Sequence, residues 1–260
     1  MNQTSGESVF WWIVASTLGM WAVAGAASAD GVERLPMVDR SIEYHGGESF
    51  EASVTRFDVC SKSGCSSVQV TMDGGLFDHD VTAPVRGGKR RVRSTNDAVE
   101  LWENGERMAV DDPERRQAVR DWAMQRVYFN FLPYRLNDPS VHKQDLGFES
   151  RDGRELQKVK VSFQSGSSTD ADDEYLYWFD PDTARLELFA YSYESGEGGL
   201  RFRRLFNYRR VGGLLFYDQE NWGVEGRDLS VDLLTPEYVQ SELRLVSTVT
   251  LENISVEALP

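Results

Sequence analysis

The sequence predicts a mainly β protein of the α+β kind, a strongly curved antiparallel sheet or incomplete β-barrel with one or two helices packed on it. Three observations lead there. The second half is a succession of short strand-like runs separated by turn dipeptides. One segment, opened by Asp112-Pro113-Glu114, keeps helical spacing over several turns. The run Tyr175-Leu176-Tyr177-Trp178-Phe179 is apolar at every position, so its strand is covered on both faces by a helix, by the curl of the sheet or by a ligand.

Taken in order, Val32 to Tyr44 reads as a short helix that ends at the turn His45-Gly46-Gly47. Val68, Val70 and Met72 then alternate, as in a strand with one buried face. The stretch to about Val110 is polar with short β-like pieces such as Val99 to Trp102, broken by the hairpin dipeptide Asn104-Gly105. In the next helix Asp112 caps the first turn, Pro113 suits its first position, and Val119, Trp122, Ala123 and Val127 make one apolar stripe. Such a stripe must lie on something, and the sheet is the available surface. The aromatic segment Tyr128 to Tyr134, stopped by Pro133, follows. Strands are expected at Leu156–Phe163, Glu174–Phe179, Leu186–Tyr193, Leu200–Phe206, Leu214–Asp218 and Leu243–Ile254. Asp152-Gly153, Asp180-Pro181-Asp182, Gly198-Gly199 and Gly212-Gly213 supply the turns. In the last strand Leu243, Leu245, Val249 and Leu251 are expected to share a face.

The N-terminus predicts export. Val9 to Ala24 is an apolar run followed by Ala27-Ser28-Ala29, a small-x-small site for signal peptidase, and then by polar chain. Residues 1–29 are therefore read as a signal peptide cleaved after Ala29, and 30–260 as one β-rich domain, periplasmic or secreted and without a stable membrane span. The first eight residues depart from the usual signal in carrying Glu7 and no Lys or Arg. No cysteine lies at the end of the run to take a lipid. Cys60 and Cys65, in Cys-Ser-Lys-Ser-Gly-Cys, are expected to close a small hairpin loop by a disulfide in an oxidising compartment. A net charge of −14 argues against nucleic acid or an anionic membrane surface as partner. Only five of the 28 basic residues are lysine.

Several segments, Phe131-Leu132-Pro133-Tyr134-Arg135-Leu136-Asn137-Asp138-Pro139, Lys158 to Phe163, Asp173 to Trp178 and Ala190 to Tyr193, resemble a family of uncharacterised exported proteins of Gram-negative bacteria, over about Val38 to Ile254. That family resembles in fold the periplasmic lipoprotein carriers LolA and LolB. The resemblance implies an unclosed antiparallel barrel that holds acyl chains beneath a helical lid. It brings no catalytic residues, and a shared fold does not confer a shared function.

Trp122, Tyr128, Phe129, Phe131, Leu132, Tyr134, Tyr177 and Trp178 are the candidates to line an apolar pocket; the alternative is ordinary core. Arg201 and Arg203 share a strand face and suit a phosphate or carboxylate, or else cross-strand pairing with acids. Asp170-Ala171-Asp172-Asp173-Glu174 offers oxygen ligands at a hairpin tip but lacks the glycine and distal glutamate of an EF-hand loop. His45, His79 and His142 belong to no zinc-protease helix or nucleophile elbow, and no nucleotide fingerprint is present. No metal or cofactor is expected. The leading reading is a non-enzymatic binder or carrier of a lipid, acyl chain or lipoprotein; the alternatives are an envelope protein-interaction module and a hydrolase whose site is assembled only by folding.

Overall fold

The computed structural model describes residues 34–163, 174–194 and 196–259. The proposed signal segment and most of the acidic stretch, Asp170 to Asp173, lie outside them. A first helix, α1 (Pro36–His45), is followed by a 3-10 turn and a meander: β1 (Ala52–Ser61), β2 (Gly64–Asp73), β3 (Leu76–Val85), β4 (Gly88–Thr95), β5 (Val99–Glu103) and β6 (Glu106–Met108). After α2 (Pro113–Met124) a second meander runs through β7 (Val141–Arg151), β8 (Arg154–Phe163), β9 (Tyr175–Phe179), β10 (Leu186–Tyr193), β11 (Gly199–Val211) and β12 (Leu214–Glu225). A third helix, α3 (Pro236–Glu242), leads into β13 (Arg244–Ala258).

The pairing is antiparallel throughout, in the order β6-β5-β4-β3-β2-β1-β13-β12-β11-β10-β9-β8-β7. The last strand joins the two meanders by pairing with β1 on one side and β12 on the other. Thirteen strands at about 4.8 Å spacing would make a flat sheet roughly 60 Å wide. It is not flat. Phe129 touches Phe189 and Tyr191 on β10, while Phe131, two residues on, touches Phe57 on β1, four strands away in the order. Only a sheet curled around this segment brings both within reach. Since β6 and β7 are its edges, the sheet stays open.

The concave face carries two apolar clusters. Phe57, Val70, Val81, Val92 and Leu101 gather with Val119, Ala123 and Phe131, whereas Val159, Tyr177, Phe189, Leu205 and Tyr217 gather with Met37, Tyr128, Phe129 and Leu132. A third cluster on the convex face joins Leu176, Trp178, Ala190 and Phe202 to Val231, Leu234 and Leu243 of the connection that holds α3. Thus β9 is covered on both faces, as its unbroken apolar run requires. The Asp112 carboxylate accepts from the Arg115 amide at 2.8 Å, which caps α2 as expected.

Four features depart from the sequence reading. The polar stretch before Val110 holds two full strands, β3 and β4, whose outer faces are zipped by Asp80–Arg91 and Asp78–Arg93 pairs. Charge at alternate positions there marks a solvated face and not loop. Strand β7 and the short helix α3 went unread, because Leu146 and Phe148 of β7 are exposed and no residue of α3 is buried. Finally, β13 does not keep one apolar face: Asn221 pairs with Ser247 but Trp222 with Leu245, so Val246 is a bulge that flips the alternation. Leu243 consequently packs in the convex cluster, Leu251 in the concave one, and Leu245 is 49% exposed. Cys60 and Cys65 are directly opposed at the β1–β2 turn and joined by a disulfide.

Candidate functional site

The order of the strands dictates the site. Strand β6 lies at one edge of the sheet and β7 at the other, so the chain between them, residues 109–140, must traverse the whole sheet. It does so across the concave face, first as α2 over β3, β4 and β5, then as two 3-10 turns, Tyr128–Asn130 and Tyr134–Asn137. The apolar stripe of α2 and the aromatic run behind it are apolar because they face the inside of the curl.

The ring of Phe129 lies on Phe189 and Tyr191, 5.2 and 5.4 Å between centroids and within 20° of parallel, and Tyr128 meets it edge-on. Beneath, Tyr175, Tyr177 and Phe179 form a ladder along β9. Farther along, Phe131 packs against Phe50 and Phe57, and Tyr134 stacks on Phe50 at 4.8 Å while its hydroxyl donates to Glu51.

Polar groups of the sheet hold the crossover backbone. The Tyr217 hydroxyl donates to the Phe129 carbonyl at 2.8 Å and lies 3.3 Å from that of Leu132. Gln219 Nε2 donates to Asn130 Oδ1 at 3.0 Å, and Asn130 Nδ2 in turn to the Arg126 carbonyl. Lys143 Nζ donates to the Leu136 carbonyl. Burial pushes the Tyr128 hydroxyl up to about 12, and those of Tyr177 and Tyr217 well above the usual phenol range. These phenols therefore stay neutral, and that of Tyr217 is a donor to the crossover.

Of the eight pocket candidates, Tyr128, Phe129, Leu132 and Tyr177 come together in one cluster, with Phe131 and, at its margin, Tyr134 in the adjoining one. Trp122 is half-buried on α2, its ring covered by the guanidinium groups of Arg126 at 3.9 Å and Arg90 at 5.5 Å. Trp178 is not brought to them. The two-residue period of a strand sets it opposite Tyr177, on the convex face, where its indole donates to Glu149 and Arg151 covers its ring.

Arg201 and Arg203 do share the concave face, and they differ. Arg201 is buried over the Tyr193 ring and paired with Glu225 at 2.7 Å, which also accepts from the Tyr193 hydroxyl. Gly223, opposite it, leaves the room, since a Cβ there would stand 2.7 Å from Arg201 Nη1. Arg203 is half-buried over the Phe129 ring, at 5.5 Å, with Gln219 Oε1 at 3.5 Å. Sequence reasoning missed Tyr217, Gln219 and Asn221. Their signal was faint: two amides at two-residue spacing continuing an apolar strand, and a lone Asn130 among aromatics.

Among the described residues no group of three His, Cys, Asp or Glu side chains could hold a metal, and no helix is long and apolar enough to cross a membrane. His45 and His79 are fully buried, and burial lowers them to about 4 and about 3. His45 Nδ1 is 3.4 Å from Ser41 Oγ, yet its nearer contact is the Ser41 carbonyl at 2.8 Å, and both side chains are 0% exposed. A cleft of about 560 Å³ lies at the β5–β6 hairpin and the start of α2, lined by Glu100, Arg107, Met108, Asp111 and Arg116 among others.

Fold and site together define an open, curled antiparallel sheet crossed on its concave face by an aromatic segment. The chain belongs to the family of unknown function DUF6503, which matches residues 26–251. Among solved structures, a LolA superfamily protein from Nitrosomonas europaea is similar over 86% of this chain and 94% of its own, at 12% identity and a TM-score of 0.47. A DUF1329 family protein from Desulfovibrio piger is similar over 85% and 91%, at 12% identity and 0.44. A putative outer membrane lipoprotein-sorting protein domain from Vibrio parahaemolyticus is similar over 85% and 90%, at 10% identity and 0.38. Among curated proteins none matches the chain.

Proposed function

We infer that this is an exported, non-enzymatic protein that binds or carries a lipid, an acyl chain or a lipoprotein against its concave face, with the Val127–Leu136 crossover as the lid. One observation carries the reading: the aromatic surface of β9 and β10 is covered by a 3-10 segment outside the sheet ladder. Stacked rings and a few side-chain bonds hold that segment. Such a cover separates from the sheet without breaking any strand pairing. An apolar chain entering there replaces Phe129 and Leu132 on the same rings, so burial is exchanged and not lost. A disulfide beside an N-terminal export signal fits an oxidising compartment such as the periplasm, with residues 1–29 removed and 30–260 as the working domain.

The test is uptake by delipidated protein. A fluorescent fatty acid or phospholipid should bind with one-to-one stoichiometry and quench when Phe129 is replaced by tryptophan as reporter. A protein that takes up none of them is not a carrier.

A second reading, an envelope module that grips another polypeptide, draws on the free edge of β7, where Phe148 is 63% and Leu146 40% exposed. It expects Phe148→Asp to abolish partner recovery from envelope extracts while leaving lipid uptake intact.

A further inference from the structure

This chain carries 42 acidic and 28 basic residues, and its arginines are mostly committed to carboxylates: Arg56, Arg91, Arg93, Arg201 and Arg209 each hold one and Arg154 holds two. Arg203 is an exception in a place where exceptions are costly. Its guanidinium reaches into the concave face, half-buried above Phe129, and among the described residues no carboxylate is bonded to it. Gln219 Oε1, a neutral acceptor at 3.5 Å, is its side-chain contact, and its Nε is buried without a partner. Directly across the β11–β12 pairing stands Asn221, 7% exposed, whose Oδ1 is likewise buried and unpartnered while its Nδ2 donates to Ser247. A half-buried cation and a buried amide side by side, each with a buried and unspent hydrogen-bonding atom, form a polar patch beside the aromatic rings.

The patch lies between two different environments. On one side is the rim, where Arg201, Glu225 and Tyr193 satisfy one another and Glu225 is exposed. On the other is the ring of Phe129, the lid residue that covers the apolar chain site. A molecule that fits both is an amphiphile: its chain under the lid, its head between Arg203 and Asn221.

We propose that Arg203 and Asn221 form the headgroup site of the ligand and select an apolar chain that bears an anionic group, a phosphate or a carboxylate, over a neutral one. Arg203 Nε and Nη1 donate to the anion, and Asn221 Oδ1 accepts from a hydroxyl beside it. The proposal rests on the carrier reading and specifies its substrate class. Arg201, already neutralised by Glu225, keeps the rim closed and takes no anion.

The test compares three probes with the same C18:1 chain, lysophosphatidic acid, oleate and the neutral monoolein, by calorimetry on the delipidated full mature chain. The two anionic probes are expected to bind at least tenfold more tightly than monoolein. Arg203→Gln should abolish that preference, read as the ratio of anionic to neutral affinity within the one variant; Arg203→Lys should keep most of it. Asn221→Asp, which sets a carboxylate opposite Arg203, should also abolish the preference, and it serves as the second variant should Arg203→Gln fold poorly. The ratio of lysophosphatidic acid to oleate tells phosphate from carboxylate as the natural head. Equal binding of all three probes to the wild type, or a preference that survives both variants, overturns the headgroup site alone. No binding of any probe overturns the carrier reading and the headgroup site with it.

Discussion

Replacing Tyr217 with phenylalanine isolates the attachment of the lid. The hydroxyl is fully buried, donates to the Phe129 carbonyl at 2.8 Å and lies 3.3 Å from the Leu132 carbonyl. Its loss removes one good hydrogen bond and leaves the Leu132 carbonyl without that neighbour; the Phe129 carbonyl keeps Gln219 Nε2 at 3.3 Å. A buried acceptor stripped of its donor costs about 1–3 kcal/mol, so the closed state should lose about 2 kcal/mol. The ring stays, and so do its apolar contacts. If the crossover opens as a unit, the whole cost falls on the closed state and the open fraction rises by roughly 30-fold, since each 1.4 kcal/mol is a factor of ten. Apparent affinity scales with the fraction of protein competent to bind, so acyl-probe affinity should tighten by up to about 30-fold and uptake should accelerate. Stopped-flow fluorescence with a labelled fatty acid measures both, and urea denaturation measures the stability lost. A variant that loses stability but binds the probe no faster and no more tightly would show that the segment is core that never leaves the sheet.

Three further outcomes follow from the same geometry. Replacing Trp178, fully buried on the convex face, by leucine should cost about 3 kcal/mol in urea denaturation and leave probe affinity unchanged; a loss of affinity matching that of a Tyr177 variant would contradict the division into two faces. His45 and His79 are held neutral by burial, with pKa values of about 4 and about 3 against about 6.5 unfolded. Protonation therefore favours the unfolded chain: stability is intact above about pH 6.5 and is lost as pH falls toward 4, by about 3 kcal/mol for each histidine at pH 4.5. His45→Gln should flatten part of that slope in denaturation curves between pH 7 and 4.5, and an unchanged slope would show that His45 is not buried neutral. Replacing Cys60 and Cys65 by serine frees a short loop and should cost about 2 kcal/mol, seen as a fall in Tm of about 5 °C that reductant reproduces in the wild type and not in the variant.

Local chemistry made much of this fold readable. Asp112 and Pro113 announce α2, Asn104-Gly105 its preceding hairpin, and the unbroken run Tyr175 to Phe179 a strand buried on both sides. What local pattern cannot carry is the pairing of β13 with β1, a contact between residues about 200 positions apart. That pairing sends β6 and β7 to opposite edges and so sends the chain between them across the sheet. The aromatic segment Tyr128 to Tyr134 stands out in the sequence, and the reason for its apolarity is topological. The bulge at Val246 was hidden because Leu243, Leu245, Val249 and Leu251 keep a two-residue spacing while the backbone changes face between them. The polar part of the site was hidden for the opposite cause. Gln219 and Asn221 look like the end of a strand, since a pattern of apolar and polar letters treats an amide as solvent-facing. Here they face inward, and their partners, Asn130 and Ser247, lie far away in the chain.

The central claim is that the concave face accommodates an apolar chain in place of the Phe129 lid. Native mass spectrometry of the protein, purified without detergent from cells that make it and followed by organic extraction, tests this most directly. A mass above that of the bare chain is expected, with the stoichiometric release of one lipid bearing a phosphate or a carboxylate. A bare mass under the same gentle conditions, together with no uptake by the same sample when lipid is added back, would contradict it.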